Sequence, residues 1–437
     1  MNAERTREIS TPSLRHGAQR PDTQPHKVRS YNERLLLSLL REHGRLASAD
    51  LARRSGLTAQ TASTITRRLQ RDGLLAREAP VRGRVGQPSV PLALAPDGAF
   101  FLGLHYGRRS GELVLLDFTG RPRAVRRSRF AFPTGAHLRQ FAREALAALI
   151  AALEPGQRGR IAGMGVAMPF RLWEWEQEAG LAPGTLAPWI DFDIATSLTG
   201  LCSWPVQFCN DANAACAAEL VFGNPARHAN FVYFFIASLV GGGVVIDGAL
   251  REGRTGLGGS FASMPVPART AMPADKAGAP GADAVPLIHR ASLYRLEAAL
   301  ARAGHDPSLL WRRSADWSDF EPMIGLWIED AAPALAHAAL AAASVIETEA
   351  IVIDGAFPAP VRARLTERVR TYFAALDRRG LPEIAIVEGT QGAAARALGA
   401  AALPLIAQFS GDRFSGGRGA GDRVSGDRSS RTRIAAA

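Results

Sequence analysis

The 437-residue chain has 47% hydrophobic residues and three cysteines, a composition that excludes a fibre or a largely disordered protein, and its length points to about two or three domains. No apolar run reaches the roughly 18 residues needed to cross a bilayer, and the charged, Pro-dotted N-terminus is no secretory signal, so a cytoplasmic protein without a membrane partner is expected. The net charge of +11 is unevenly placed: residues 1–95 hold 17 basic against 8 acidic side chains, residues 409–437 hold 6 against 3, and the rest is near neutral. A basic head on a neutral body predicts that one end meets a polyanion.

Residues 1–30 lack apolar periodicity and read as a disordered arm. Three short helices follow, NERLLLSLLREHG, SADLARRSG and AQTASTITRRLQRDG, each closing at or beside a glycine, with Ser48 and Thr58 at N-cap positions. In the third helix Ala62, Ile65 and Leu69 recur at three- and four-residue steps, so they should face Leu35, Leu36, Leu39, Leu51 and Leu57. That orientation exposes Gln60, Thr61, Ser63, Thr64, Arg67 and Arg68, side chains suited to base edges and phosphates in a major groove. The stretch GLLAREAPVRGRVGQPSVPLALAPDG reads as two short strands around a basic tip, Val81 to Gln87. Arg82, Arg84 and Gln87 would then reach DNA from a wing. Residues 31–95 are thus expected to form a winged helix-turn-helix that binds double-stranded operator DNA.

From about residue 96 strands alternate with Ala/Leu-rich helices, opened by a meander, which predicts an α/β body. The strands read as FFLGLHYG, ELVLLDF, IAGMGVAMP, PVQFCND, NFVYFFIAS, VVIDGAL, AIVIDGAF and EIAIVEG. Helices are expected over 136–153, 212–222, 290–303, 325–347, 361–378 and 392–402, and residues 405–437 as a disordered Gly/Ser/Arg tail. Cys202, Cys209 and Cys216, seven residues apart, match no zinc pattern and read as small buried hydrophobes.

The stretch CNDANAAC, residues 209–216, places Asp211 at a strand-to-helix junction between two asparagines. Together with IAGMGVAMP, the Gly-rich turn of SLVGGGVVIDG and the C-terminal GAAARALGAAAL, it resembles the ROK family (repressors, open reading frames, kinases) over residues 31–404. The wing is similar to that of the family's transcriptional repressors. The resemblance implies a two-lobed, actin-like (RNase H-like) sugar-kinase fold over residues 96–404, with a sugar site between the lobes and Asp211 in the place of the catalytic base.

Departures from the family pattern bear on function. Family kinases hold ATP phosphates with a D-x-G-G-T-type turn; here it reads His105-Tyr106-Gly107-Arg108-Arg109. The second phosphate turn has become Ala237-Ser238-Leu239-Val240-Gly241, where Leu239 and Val240 are expected to project into the phosphate position. Arg108 and Arg109 either bind an anionic ligand or are solvated residues of a remodelled loop. The family's G-E-I-G-H motif reads Gly259-Ser260-Phe261-Ala262-Ser263, and no cysteine follows in the next thirty residues, so neither a structural zinc nor ATP is expected. Asn210, Asp211, Gly259 and Ser260 remain as candidate contacts for a sugar or sugar derivative, with Asp211 alternatively a helix-cap acid.

These features favour a homodimeric or homotetrameric DNA-binding regulator without catalytic residues, acting as a repressor and answering to a carbohydrate effector. A regulator that uses the body only to oligomerise, and an active sugar kinase, are the alternatives.

Overall fold

The computed structural model describes residues 30–79, 90–223, 226, 228–268, 283–311 and 316–410. Helix α1 (Tyr31–His43) starts at a capping box, in which the Ser30 side chain accepts from the Glu33 backbone and the Glu33 carboxylate accepts from Ser30. Gly44 closes it, and β1 (Arg45–Leu46) leads to α2 (Ser48–Ser55), which ends at the left-handed Gly56. Ser48 is the first residue of α2 and not its cap; Ala47 holds that place with no side-chain bond. Thr58 does cap α3 (Ala59–Arg71), accepting from Thr61. β2 (Leu75–Arg77) and β3 (Leu92–Leu94) complete an antiparallel sheet in the order β1-β3-β2, one strand more than the two expected.

Leu36, Leu37, Leu40, Leu51 and Leu69 are fully buried in this module. The α3 stripe differs from expectation at one place. Thr66, rather than Ile65, takes the buried position beside Ala62 and Leu69, which a threonine tolerates because its hydroxyl donates to the Ser63 carbonyl.

The body repeats one plan twice. In the first lobe β4 (Phe100–Tyr106), β5 (Ser110–Asp117) and β6 (Pro122–Arg129) form a meander. After α4 (Gly135–Ala151) and α5 (Pro155–Arg158) come β7 (Ile161–Met168), α6 (Ile194–Thr199), β8 (Val206–Asn210) and α7 (Asp211–Phe222). The sheet order is β6-β5-β4-β7-β8, antiparallel through the meander and parallel beyond it. The second lobe opens with β9 (Phe231–Ile236), β10 (Val240–Ile246) and β11 (Ala249–Leu250), then a side ribbon of β12 (Pro265–Pro267) and β13 (Ala284–Pro286). It continues through α8 (Ile288–Ala291), α9 (Leu293–Arg302), α10 (Met323–Ala343), β14 (Ala350–Gly355), α11 (Ala359–Ala374) and β15 (Ala385–Glu388). Its sheet, β11-β10-β9-β14-β15, has the same order and the same change of direction.

The last helix, α12 (Ala395–Phe409), lies on β4, β7 and α7. Side chains alternate along β4, so Phe100, Leu102 and Leu104 face α4 while Phe101, Gly103 and His105 face α12. Close approach demands glycine: a Cβ at Gly103 would lie 2.2 Å from the Ala397 carbonyl oxygen, at Gly165 1.8 Å from that of Ala400, and at Gly399 1.6 Å from that of Ala214. At the far end of α12, Phe409 meets Phe118 edge-on at 5.0 Å and Phe101 at 5.7 Å. Arg41 of α1 lies 5.3 Å over the Phe118 ring and donates to the Phe118 carbonyl. The basic module therefore shares a core with the body, and the helix that joins them runs five residues past the expected start of the tail, with Leu405 fully buried.

Residues 392–409 are apolar and long enough to cross a membrane by composition alone, contrary to the sequence-based expectation, with a mean hydropathy of 1.3. The stretch is instead the packed core element just described.

Candidate functional site

On α3, Gln60, Thr64, Arg67 and Arg68 are exposed, while Thr61 and Ser63 are half-buried at its near edge. The structure thus gathers all six on one accessible side, with two qualifications. The Thr61 hydroxyl is engaged with the cap, 2.9 Å from that of Thr58. Arg68 pairs at 3.2 Å with Glu33, whose side chain is only 3% exposed, so this arginine also fastens α3 to α1. Arg67 rests on the Ser63 hydroxyl at 3.0 Å, an easily exchanged contact. Arg82, Arg84 and Gln87 lie outside the described residues.

A cavity of about 1070 Å³ opens between the two lobes and reaches Asn210, Asp211, Gly259 and Ser260. Asp211 occupies the first turn of α7, but the cap is Asn210, whose side-chain oxygen accepts from the Ala212 N–H at 3.0 Å. Asp211 is therefore not the cap residue, although its carboxylate also draws on the Ala212 N–H, while the Asn210 oxygen is partly engaged. The second asparagine of the motif, Asn213, donates to the carbonyls of Gly256 and Gly258 and ties α7 to the loop that carries Gly259 and Ser260. Gly259 has φ +74, and a Cβ there would meet the Gly242 carbonyl oxygen at 2.8 Å. Ser260 donates back to Leu257.

Two basic groups flank Asp211. The His105 Nε2 and Arg396 Nη1 atoms each lie 3.7 Å from its Oδ2, one reaching from β4 and the other from the head of α12. Neither contact is short enough to be a direct hydrogen bond. Burial, and then the charge of Arg396, push His105 below its ordinary 6.5 against the pull of Asp211, so the ring is neutral at pH 7. Burial opposes ionisation of Asp211, but the His105 ring and the Arg396 charge outweigh it and hold the carboxyl below its usual value. A carboxylate made less basic in this way is a weaker proton acceptor than a catalytic base wants to be.

The turn after β4 corrects the sequence reading. Arg108 is not solvated; its side chain is 6% exposed and its Nη2 contacts both Glu297 oxygens, at 2.8 and 2.9 Å. Arg109 reaches the same carboxylate at 3.1 Å, and Arg108 also donates to the Ala179 carbonyl. Glu297 belongs to α9, so an ion triad crosses from the first lobe to the second at the place where the resemblance puts a nucleotide phosphate. Of the second turn, Leu239 and Val240 both line the cavity; Val240 also packs into the second-lobe core, its N–H held by the Ser292 hydroxyl.

Cys209 and Cys216 are buried and Cys202 is half-buried, all three as free thiols. Among the described residues no three His, Cys, Asp or Glu side chains converge as metal ligands. Two residues that matter here were not singled out in the sequence, Glu297 and Arg396. The second had a signal, since it is a lone charge inside the apolar helix ARALGAAALPLIAQF.

A three-helix head with a small sheet, joined through one helix to two lobes of matching topology around a cleft, defines a DNA-binding module on a sugar-kinase-like body. Residues 29–76 match the winged helix-turn-helix DNA-binding model and residues 101–284 match the ROK family model. Residues 101–284 are thus a ROK family domain behind a winged helix-turn-helix, and the fold is a winged helix-turn-helix followed by the two-lobed actin-like (RNase H-like) body.

An uncharacterized protein of Sinorhizobium fredii is 26% identical over 391 residues, 87% of this chain and 92% of the relative. The xylose repressor of Bacillus subtilis is 23% identical over 239 residues, 55% of this chain and 61% of the repressor, so the chain spans less than two thirds of it. A solved ROK family transcriptional regulator, a homolog of the E. coli MLC protein, superposes with a TM-score of 0.58 at 19% identity, covering 87% of this chain and 97% of that one.

Proposed function

We propose that this protein is a transcriptional repressor of the ROK family that binds operator DNA through α3 and its wing and answers to a carbohydrate-derived effector in the interlobe cleft. The observation that carries the proposal is the continuous core from the DNA-binding module to the cleft. Phe101, Gly103 and His105 on one face of β4 run alongside Phe409, Ala401, Ala397 and Arg396 of α12. A ligand that favours one arrangement at the Arg396 end then biases the module at the Phe409 end, which is what coupling between two sites requires.

Phosphoryl transfer is absent in this reading. The Arg108–Glu297–Arg109 triad fills the phosphate turn, and backbone N–H groups cradle a phosphate only where small residues let it approach. The protein works in the cytoplasm as a homodimer or homotetramer, because one short helix reads too few bases for genomic specificity, and it uses neither zinc nor ATP. The similarity to a xylose repressor supports the carbohydrate link.

Selection of bound sequences from random duplex DNA tests the regulator reading; enrichment of paired half-sites about one helical turn or a multiple apart is the expected result. A coupled assay of ATP consumption with a panel of sugars tests the other half. Turnover that disappears in Asp211→Asn would establish the sugar kinase instead.

A further inference from the structure

The Arg396 guanidinium is unusually placed. Its side chain is 17% exposed and lies 5.3 Å over the Phe235 ring, yet among the described residues it makes no hydrogen bond, and its Nε is buried without a partner. Its carboxylate neighbour stands 3.7 Å away, too far to satisfy any of five N–H donors. The His105 Nε2, on a side chain 5% exposed, is likewise buried and unpartnered. Both groups line the interlobe cavity. A guanidinium at a cavity wall with its Nε buried and unpartnered offers donors to whatever enters, and an oxyanion answers it best because charge-assisted bonds are about twice as strong as neutral ones.

The surroundings agree in sign. Arg127 and Arg129 from β6 also line the cavity; Arg127 is answered by Glu112, whereas Arg129 is held by the Trp311 carbonyl. Asp211 stands beside both groups, its Oδ2 3.7 Å from each. Its carboxylate accepts hydrogen bonds and repels a second anion, so the group beside it has to be a hydroxyl.

We infer that the cleft binds a polyhydroxy compound bearing an oxyanion, with the anion on Arg396 and His105 and a neighbouring hydroxyl on Asp211. A neutral sugar leaves Arg396 unsatisfied and is the weaker ligand. The carboxylate of a sugar acid and the phosphate of a sugar phosphate share this chemistry. The inference deepens the effector reading above and rests on it only for the purpose of binding.

The test uses the full-length protein and matched sets of probes: several aldoses, their aldonates and uronates, their phosphate esters, and inorganic phosphate alone. Binding is read by calorimetry and by thermal shift. At least one anionic probe is expected to bind ten times or more tightly than its neutral parent, which separates carboxylate from phosphate recognition. Arg396→Gln is expected to remove that preference by roughly tenfold or more, and Arg396→Lys to keep part of it. Equal binding of neutral and anionic members, or binding of no anionic probe, overturns the inference in the wild-type protein alone, whether or not the variants fold. Inorganic phosphate binding as tightly as the esters overturns the hydroxyl contact at Asp211. DNA affinity measured in the same samples without ligand is independent of these outcomes, so a failure of the regulator reading and a failure of the anion site are told apart.

Discussion

Replacing Glu297 with Gln removes one charge and almost no volume from the triad that joins the lobes. The carboxylate serves three close contacts, at 2.8 and 2.9 Å to Arg108 and 3.1 Å to Arg109. Arg109 is 37% exposed and can be resolvated, but Arg108 at 6% cannot. The variant therefore keeps a buried guanidinium without its counter-charge, a situation that costs about 3–5 kcal/mol. For a body of this size that is a fall in midpoint of roughly 6–10 °C, taking about 2 °C per kcal/mol. Calorimetric melts of the wild type, Glu297→Gln, and Arg108→Met combined with Glu297→Met supply the comparison. The double replacement, which leaves no unpaired charge inside, is expected to be milder than the single one. A loss below about 1 kcal/mol for Glu297→Gln, the size of a surface pair, would refute the argument that this triad is desolvated.

Arg67→Ala is expected to weaken binding to all DNA sequences and flatten the salt slope by about one unit with stability unchanged, whereas Arg68→Ala also removes one partner of the buried Glu33 carboxylate and lowers stability by about 1 kcal/mol; gel shifts at several salt concentrations and melts of both variants check this. Gly165→Ala is expected to prevent α12 from docking and to abolish cooperative melting, while Gly156→Ala, with nothing within 4 Å, leaves the melt within about 1 kcal/mol of wild type. His105 is held below its ordinary 6.5, so the unfolded chain binds the extra proton first. Its contribution to stability is full above pH 6.5 and is lost as pH falls toward the folded value, and His105→Asn should flatten that part of a stability-against-pH curve.

Much of the fold was legible because its signals are local. The head announces itself through glycine stops, an apolar stripe and the Thr58 cap, and the body through alternating apolar strands and Ala-rich helices. The strand β6 was not read, because PRAVRRSR is an edge strand with its arginines in solvent and no apolar face to alternate against. Helix α12 runs beyond the expected end at residue 402, through Pro404, which sits inside the helix. Arg108 is not the solvated loop residue that one sequence reading makes it; its partner Glu297 lies 189 positions away, and nothing near Arg108 in the sequence points to α9. Asp211 stands at the strand-to-helix junction expected of it, but its surroundings depend on Arg396, which only the packing of α12 brings to it.

The shared core also orders events at the ribosome. Leu405 and Phe409, which close over Leu36 and Phe101, are made only after the two lobes between them. At bacterial-to-eukaryotic synthesis rates of about 5–20 residues per second, the head waits roughly 20–75 s with one apolar side open. A chain cut short before α12 never covers it, and such an exposed surface is what chaperones and proteases recognise. The folded state of the DNA-reading head therefore depends on a helix more than three hundred positions further along the sequence than the head's own first helix.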